Sequence, residues 1–136
     1  LYLFKKDWGP YDEIMHSIWY YCENYPLRFE KPRTKWYLIG ASSKDLKTIN
    51  HELAHGYYYT DLEYKKTVDK LLLSIPIKTL NKIFTKLMKM GYVNDKKILM
   101  DEAQAFLSTG LYNGLDIKEI KKYEKIFINN FKKHNK

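Results

Sequence analysis

The stretch NHELAHGYYY, residues 50–59, places two histidines four residues apart with a glutamate directly after the first. On a helix, positions four apart stack on one face about 5–6 Å from one another, so His51 and His55 can aim imidazole nitrogens at one zinc ion. Glu52 sits about 100° round the helix from His51, within reach of a water on that metal without displacing it. The five-residue pattern arises by chance in roughly 1% of chains of this length and composition, so its surroundings must decide. Leu46, Ile49, Leu53 and Tyr57 form an apolar stripe, and the histidines fall on the opposite side. That opposite side reads Thr48, His51, His55, Tyr58 and Tyr59, where an ordinary surface helix would be charged. A second, half-buried face is implied, either a cleft floor with the core behind it or a helix between two layers. The small Ala54 and Gly56 would let a neighbouring backbone approach closely.

A catalytic zinc takes three protein ligands and keeps one position open. The chain has a single cysteine, Cys22, so any metal must be held by histidine and carboxylate. In ILMDEAQAFLSTG, residues 98–110, Ile98, Leu99, Ala105 and Phe106 stand three and four residues either side of Glu102 and turn it into the apolar face of a helix. A carboxylate placed there is costly unless paired or bound to a metal, which makes Glu102 the candidate third ligand. A buried ion pair with a lysine is its bland alternative. Asp101, about 100° away and toward Lys97 and Ser108, reads as solvated. Glu63, among Tyr and Lys, is a rival ligand. His16 shares its side with Asp12 and Glu23, and His134 lies in the charged tail, so both read as solvated. Tyr112, in the loop STGLYNGLD, is placed where a phenol can donate to an oxyanion, although packing accounts for it too.

Working outward, Gly9-Pro10 punctuates the chain, and apolar residues at Ile14, Ile18, Tyr21, Cys22 and Tyr25 predict a helix that Pro26 ends. RTKWYLIG, residues 33–40, is short, aromatic and aliphatic, and reads as a strand. Ser42 with Asp45 suggests a capping box for a helix from about 44 to 60. Further helices are predicted over 62–74, from Pro76 to a stop at Gly91, and from a cap at Asn94 or Asp95 to Gly110. Asp116 with Glu119 opens a basic last helix with Ile117, Ile120, Phe127 and Phe131 on one side. The expectation is a single domain over 1–136, α+β and mostly helical, with a small sheet whose edge strand covers about 34–40.

The chain has 136 residues and a formal charge of +8, with 45% hydrophobic residues, which suits one core. Only Arg28 and Arg33 are arginines, so the charge is lysine spread along the sequence; no glycine-rich phosphate loop or aromatic-basic signature accompanies it. The reading is a solvated lysine surface and argues against a nucleic-acid partner. No stretch approaches the ~20 apolar residues of a membrane span, the opening Leu1–Lys6 is too short an apolar run for a secretion signal, and one cysteine fits a reducing compartment. A cytoplasmic location with no membrane partner is expected, and oligomerisation is left open.

These residues resemble the gluzincins, zinc metallopeptidases with His-Glu-x-x-His on one helix and a glutamate ligand on a later one. HELAH at 51–55 and DEAQA at 101–105 carry the resemblance, and the chain's shortness is similar to the minimal members, the minigluzincins. The resemblance implies a zincin-like fold, one zinc per chain on His51, His55 and Glu102, and Glu52 as general base and acid. It also implies that the strand before the motif helix pairs with extended substrate, which nominates Trp36, Leu38 and Gly40 as substrate-binding residues. Minimal members can be latent, with a chain segment over the cleft, and the last helix is a candidate for that segment. No downstream His or Tyr stands out as the transition-state donor of larger members. The function expected is a zinc endopeptidase acting on a peptide or protein. Its alternatives are a zinc-containing peptide-binding or regulatory domain with little turnover, and, more weakly, a basic nucleic-acid-binding helical domain.

Overall fold

The computed structural model describes residues 37, 39, 45–110 and 117–135, all within one compact unit spanning Lys35–Lys136. Five α-helices make up this part: α1 (Leu46–Thr60), α2 (Leu62–Leu73), α3 (Ile77–Lys89), α4 (Lys96–Thr109) and α5 (Lys121–His134), the last entered through a 3-10 turn at Lys118–Ile120. Local chemistry sets their ends. Asp45, Asp61 and Asp95 each accept hydrogen bonds from two backbone N–H groups of the turn that follows, satisfying donors that a helix start leaves unpaired. The cap of α1 is therefore Asp45 itself, one turn later than a box begun at Ser42. Pro76 precedes α3 and lacks the N–H a helix start would leave unpaired. Gly91 and Gly110 stop α3 and α4 with φ of 103° and 74°, a region that side chains disfavour.

Helix α4 is the centre of the bundle and contacts all four of the others. Its segment Ala103–Ser108 is buried without a break, so it has no solvated stripe there, as befits a helix surrounded by neighbours. Val68 and Leu72 of α2, Ile83 and Leu87 of α3, and Phe127 and Phe131 of α5 close round it. Helix α2 is tied to α1 by the Tyr58 hydroxyl, which donates to Asp69 Oδ1 at 2.5 Å, and to α4 by the Tyr64 hydroxyl on Gln104 Oε1 at 3.1 Å.

The expected α+β class is corrected by this architecture: among the described residues every regular element is helical and there is no strand. Tyr37 and Ile39, from the stretch taken as the edge strand, have no regular structure. Alternating aromatic and aliphatic residues satisfy a strand and an irregular apolar segment equally, and only a partner strand would distinguish them. The predicted helix at 11–25 lies outside the described residues. The orientation of α1 also differs from expectation. Leu46, placed on the core stripe, is 71% exposed, while Ala54, His55, Gly56 and Tyr58 are the buried residues of this helix. The histidine side of α1 meets α4, while Leu53 and Tyr57 of the expected stripe also pack against the core, so α1 is buried on two sides.

Candidate metal centre

Helix α1 supplies His51 and His55, and α4 crosses it with Glu102. The two imidazoles present their Nε2 atoms to one another at 3.3 Å, with the rings nearly perpendicular. Glu102 Oε2 lies 3.6 Å from each of these nitrogens. This oxygen is buried and, among the described residues, has no hydrogen-bond partner. A tetrahedral ion with bonds of about 2.0–2.1 Å has its ligand atoms about 3.3–3.4 Å apart. The three side chains therefore sit at ligand spacing, and the orphaned carboxylate oxygen is the acceptor such an ion would satisfy; His51, His55 and Glu102 can hold a metal ion. Leu99, Ala105 and Phe106 are buried beside Glu102, but Ser108, placed on the solvated side with Asp101, is buried as well. Glu63, the rival, has a side chain 78% exposed and pairs with Lys66 instead.

Asp101 requires a correction. Its side chain is 35% exposed but is more than a solvated neighbour: its Oδ1 accepts from His55 Nδ1 at 2.8 Å. With Nδ1 donating there, the lone pair of His55 is left on Nε2, the atom that faces Glu102 and His51. The bond is made across two helices, so α4's own apolar pattern could not reveal it. Asp101 is held in turn by Gln104, whose amide nitrogen donates to Asp101 Oδ1 and to the Ala54 carbonyl, each at 3.1 Å. Gln104 is 0% exposed. Its carbonyl accepts from the Tyr64 hydroxyl, which also approaches Ser108 Oγ at 3.3 Å. Sequence reading passed over Gln104, Tyr64 and Ser108; a glutamine inside an otherwise apolar helix face was the available signal. His51 lacks a comparable tether, for its buried Nδ1 has no partner among the described residues and its ring rests edge-on against Phe106.

Electrostatics follow the geometry. Burial disfavours a charged His55, yet the hydrogen bond to Asp101 and the nearby Glu102 carboxylate outweigh it and push its pKa up to about 10. Burial likewise opposes ionisation of Glu102, but the His51 and His55 rings prevail and lower it to about 2. A metal-free centre thus carries a proton where a cation would sit. Two phenols border this side of the molecule. Tyr92, following Gly91, is pushed up to about 12 by burial and by Glu102 and Glu52. Tyr37 is also raised to about 12, by burial, then Glu52, Asp101 and Glu102. Both stay protonated donors near neutral pH. Gly56 lies against Tyr37: a Cβ there would lie 3.4 Å from its Cδ1, an ordinary contact distance. The close approach expected at Gly56 is made by a ring.

Trp36, Leu38 and Gly40, nominated for substrate, and Tyr112, nominated for the oxyanion, lie outside the described residues, as does His16. His134 is half-buried, its ring 5.0 Å from that of Tyr64, where exposure was expected. Among the described residues no helix is long and apolar enough to cross a membrane. No protein family, curated protein or solved structure matches the chain.

Proposed function

We propose that the chain is a zinc-dependent peptidase that hydrolyses a peptide bond with Glu52 as general base. The observation that carries this reading is the convergence of His51 Nε2, His55 Nε2 and the unpartnered Glu102 Oε2 at 3.3–3.6 Å, with Glu52 following His51 in the chain. Two nitrogens and one carboxylate oxygen are the donor set of a catalytic zinc with an open position. A bound zinc would supply Lewis acidity, polarising a substrate carbonyl and acidifying water.

Glu52 accepts the proton of the attacking water and delivers it to the departing amine, so that one carboxylate serves both halves of the reaction. Tyr92 and Tyr37, held protonated by burial and by neighbouring carboxylates, are the phenols available to donate to the oxygen on which negative charge develops. Asp101 keeps His55 in the tautomer that presents Nε2. Apolar residues beside Glu102, among them Leu99 and Phe106, exclude water from the floor of the site.

Elemental analysis of protein purified without chelator, paired with cleavage of a broad peptide pool, tests the proposal. One zinc per chain and hydrolysis that falls at least ~10²-fold in Glu52→Gln, with metal content unchanged, is the expected result. No metal, even after zinc addition, sinks it. Metal without hydrolysis favours a zinc-containing peptide-binding domain.

A further inference from the structure

Helix α3 presents a second feature, one that does not depend on the metal centre. Lys78, Lys82, Lys86 and Lys89 line one groove with Asn81, Thr85 and Ile117, a depression of about 390 Å³ between α3 and the start of the 3-10 turn. At 100° per residue the four lysines fall within an arc of about 80°, turned away from the buried face that carries Ile83 and Leu87, and successive members rise about 6, 6 and 4.5 Å along the axis. Among the described residues one carboxylate meets this row: Glu119, whose Oε1 lies 2.5 Å from Lys82 Nζ. Its pKa is lowered by Lys82 first and by Lys78 as well, so one lysine of this row already pairs with an acidic side chain of the chain's own. The other three lysines have no such partner among the described residues, and like charges at this spacing repel one another.

We propose that this groove is a docking site for an extended acidic segment of a partner protein, its alternate carboxylates meeting Lys78, Lys86 and Lys89. The rise of about 12 Å from Lys78 to Lys86 is close to two of the roughly 6.6 Å repeats by which same-side residues of an extended chain recur, and Lys89 lies about 4.5 Å further along the helix, within reach of the next such residue on a flexible lysine stem. The lining argues against nucleic acid. It holds no aromatic ring on which a base could stack and no arginine fork to grip a phosphate in two places. Ile117 gives one apolar contact, and Asn81 and Thr85 can bond the partner's backbone. Glu119 on Lys82 is the same contact made in cis.

The test uses a fluorescent peptide of alternating Glu and Ser and measures anisotropy with the full chain at low salt, about 20 mM, where such attraction is little screened. Binding should weaken at least ~10-fold in Lys78→Glu/Lys86→Glu/Lys89→Glu and less than ~2-fold in a control of equal charge, Lys47→Glu/Lys70→Glu/Lys133→Glu, whose sites are spread over three other helices. Glu119→Gln should tighten binding by freeing Lys82, whereas Glu63→Gln, whose partner Lys66 is on α2, should not. Thermal melts of each variant verify folding. Equal losses in both triple variants would show attraction by net charge alone and overturn the proposal. So would an oligothymidylate of matched charge that binds more tightly than the peptide, or no peptide binding at low salt.

Discussion

His55 Nδ1 and Asp101 Oδ1 meet at 2.8 Å across the contact of α1 with α4, so the helix that carries the candidate third ligand also orients the second. Adjacent residues of α4 are thereby placed for two tasks: Glu102 can offer an oxygen to a cation, and Asp101 fixes which nitrogen of His55 could do the same. Because both bonds cross the same helix pair, metal affinity and the docking of α1 on α4 are coupled, and a cation would stabilise the fold as it binds.

Replacing Asp101 with Ala is accordingly expected to weaken zinc binding by ~10–100-fold, the scale found for partners that orient a ligand. Glu102→Ala removes a ligand and should cost more. A chelator competition titration ranks the two; an Asp101→Ala affinity equal to wild type would show that His55 does not need its tether.

Gln104→Leu keeps the volume of a buried residue but removes one hydrogen bond each from the Ala54 carbonyl, from Asp101 and from the Tyr64 hydroxyl, which keeps only its longer contact with Ser108. A buried hydrogen bond contributes about 0.5–1.5 kcal/mol, so the loss of three should show as about 2 kcal/mol or more in urea unfolding. Zinc affinity should fall too, by less than in Asp101→Ala, because the His55 bond itself survives. Unchanged stability would mean that Gln104 contributes packing alone.

The metal-free chain should be most stable, as far as this centre decides, between about pH 4.5 and 6.5. His55 rises from 6.5 to about 10 on folding, so its contribution is complete below 6.5 and is lost as pH climbs through about 10. Glu102 falls from 4.5 to about 2, so its contribution holds above 4.5 and is lost as pH drops toward 2. Denaturant midpoints taken with chelator present across this range should trace that profile, and His55→Gln should flatten its alkaline limb. With zinc in place of the proton the alkaline decline should be shallower. A zinc-free wild type whose alkaline limb matches that of His55→Gln would exclude the ion pair as its cause.

Helix α5 is part of the core, so it cannot serve as a detachable cover for the site without loss of the fold. Phe127→Ala should destabilise by about 3–5 kcal/mol, the cost of truncating a large side chain at a fully buried position. Removing residues 117–136 should then yield a chain that melts without cooperativity in circular dichroism. A truncated chain with a sharp, wild-type-like transition would restore the last helix as a candidate cover.

Much of the helical layout was legible in the sequence because its signals are local. Gly91 and Gly110 end their helices by a backbone preference of the residue itself, Asp95 caps with its own side chain, and the four-residue spacing of His51 and His55 puts them on one face in any helix. Glu102 was reachable for a related reason, since its apolar flanks at three and four residues betray a carboxylate turned inward. Which side of α1 meets α4 was not legible: both sides are half apolar, and burial is decided by the neighbour that arrives. The roles of Asp101 and Gln104 likewise exist only between helices, where the angle at which α4 crosses α1 brings an apparently solvated carboxylate to His55. The apolar run at 35–40 shows the opposite failure, because a strand is defined by hydrogen bonds to a partner, and among the described residues no strand stands beside it. Sequence alone thus set the helices and the ligand-bearing residue types, through interactions within a few positions of the chain; tertiary structure decided which faces meet, because that depends on contacts some fifty residues apart, as between Ala54 and Gln104.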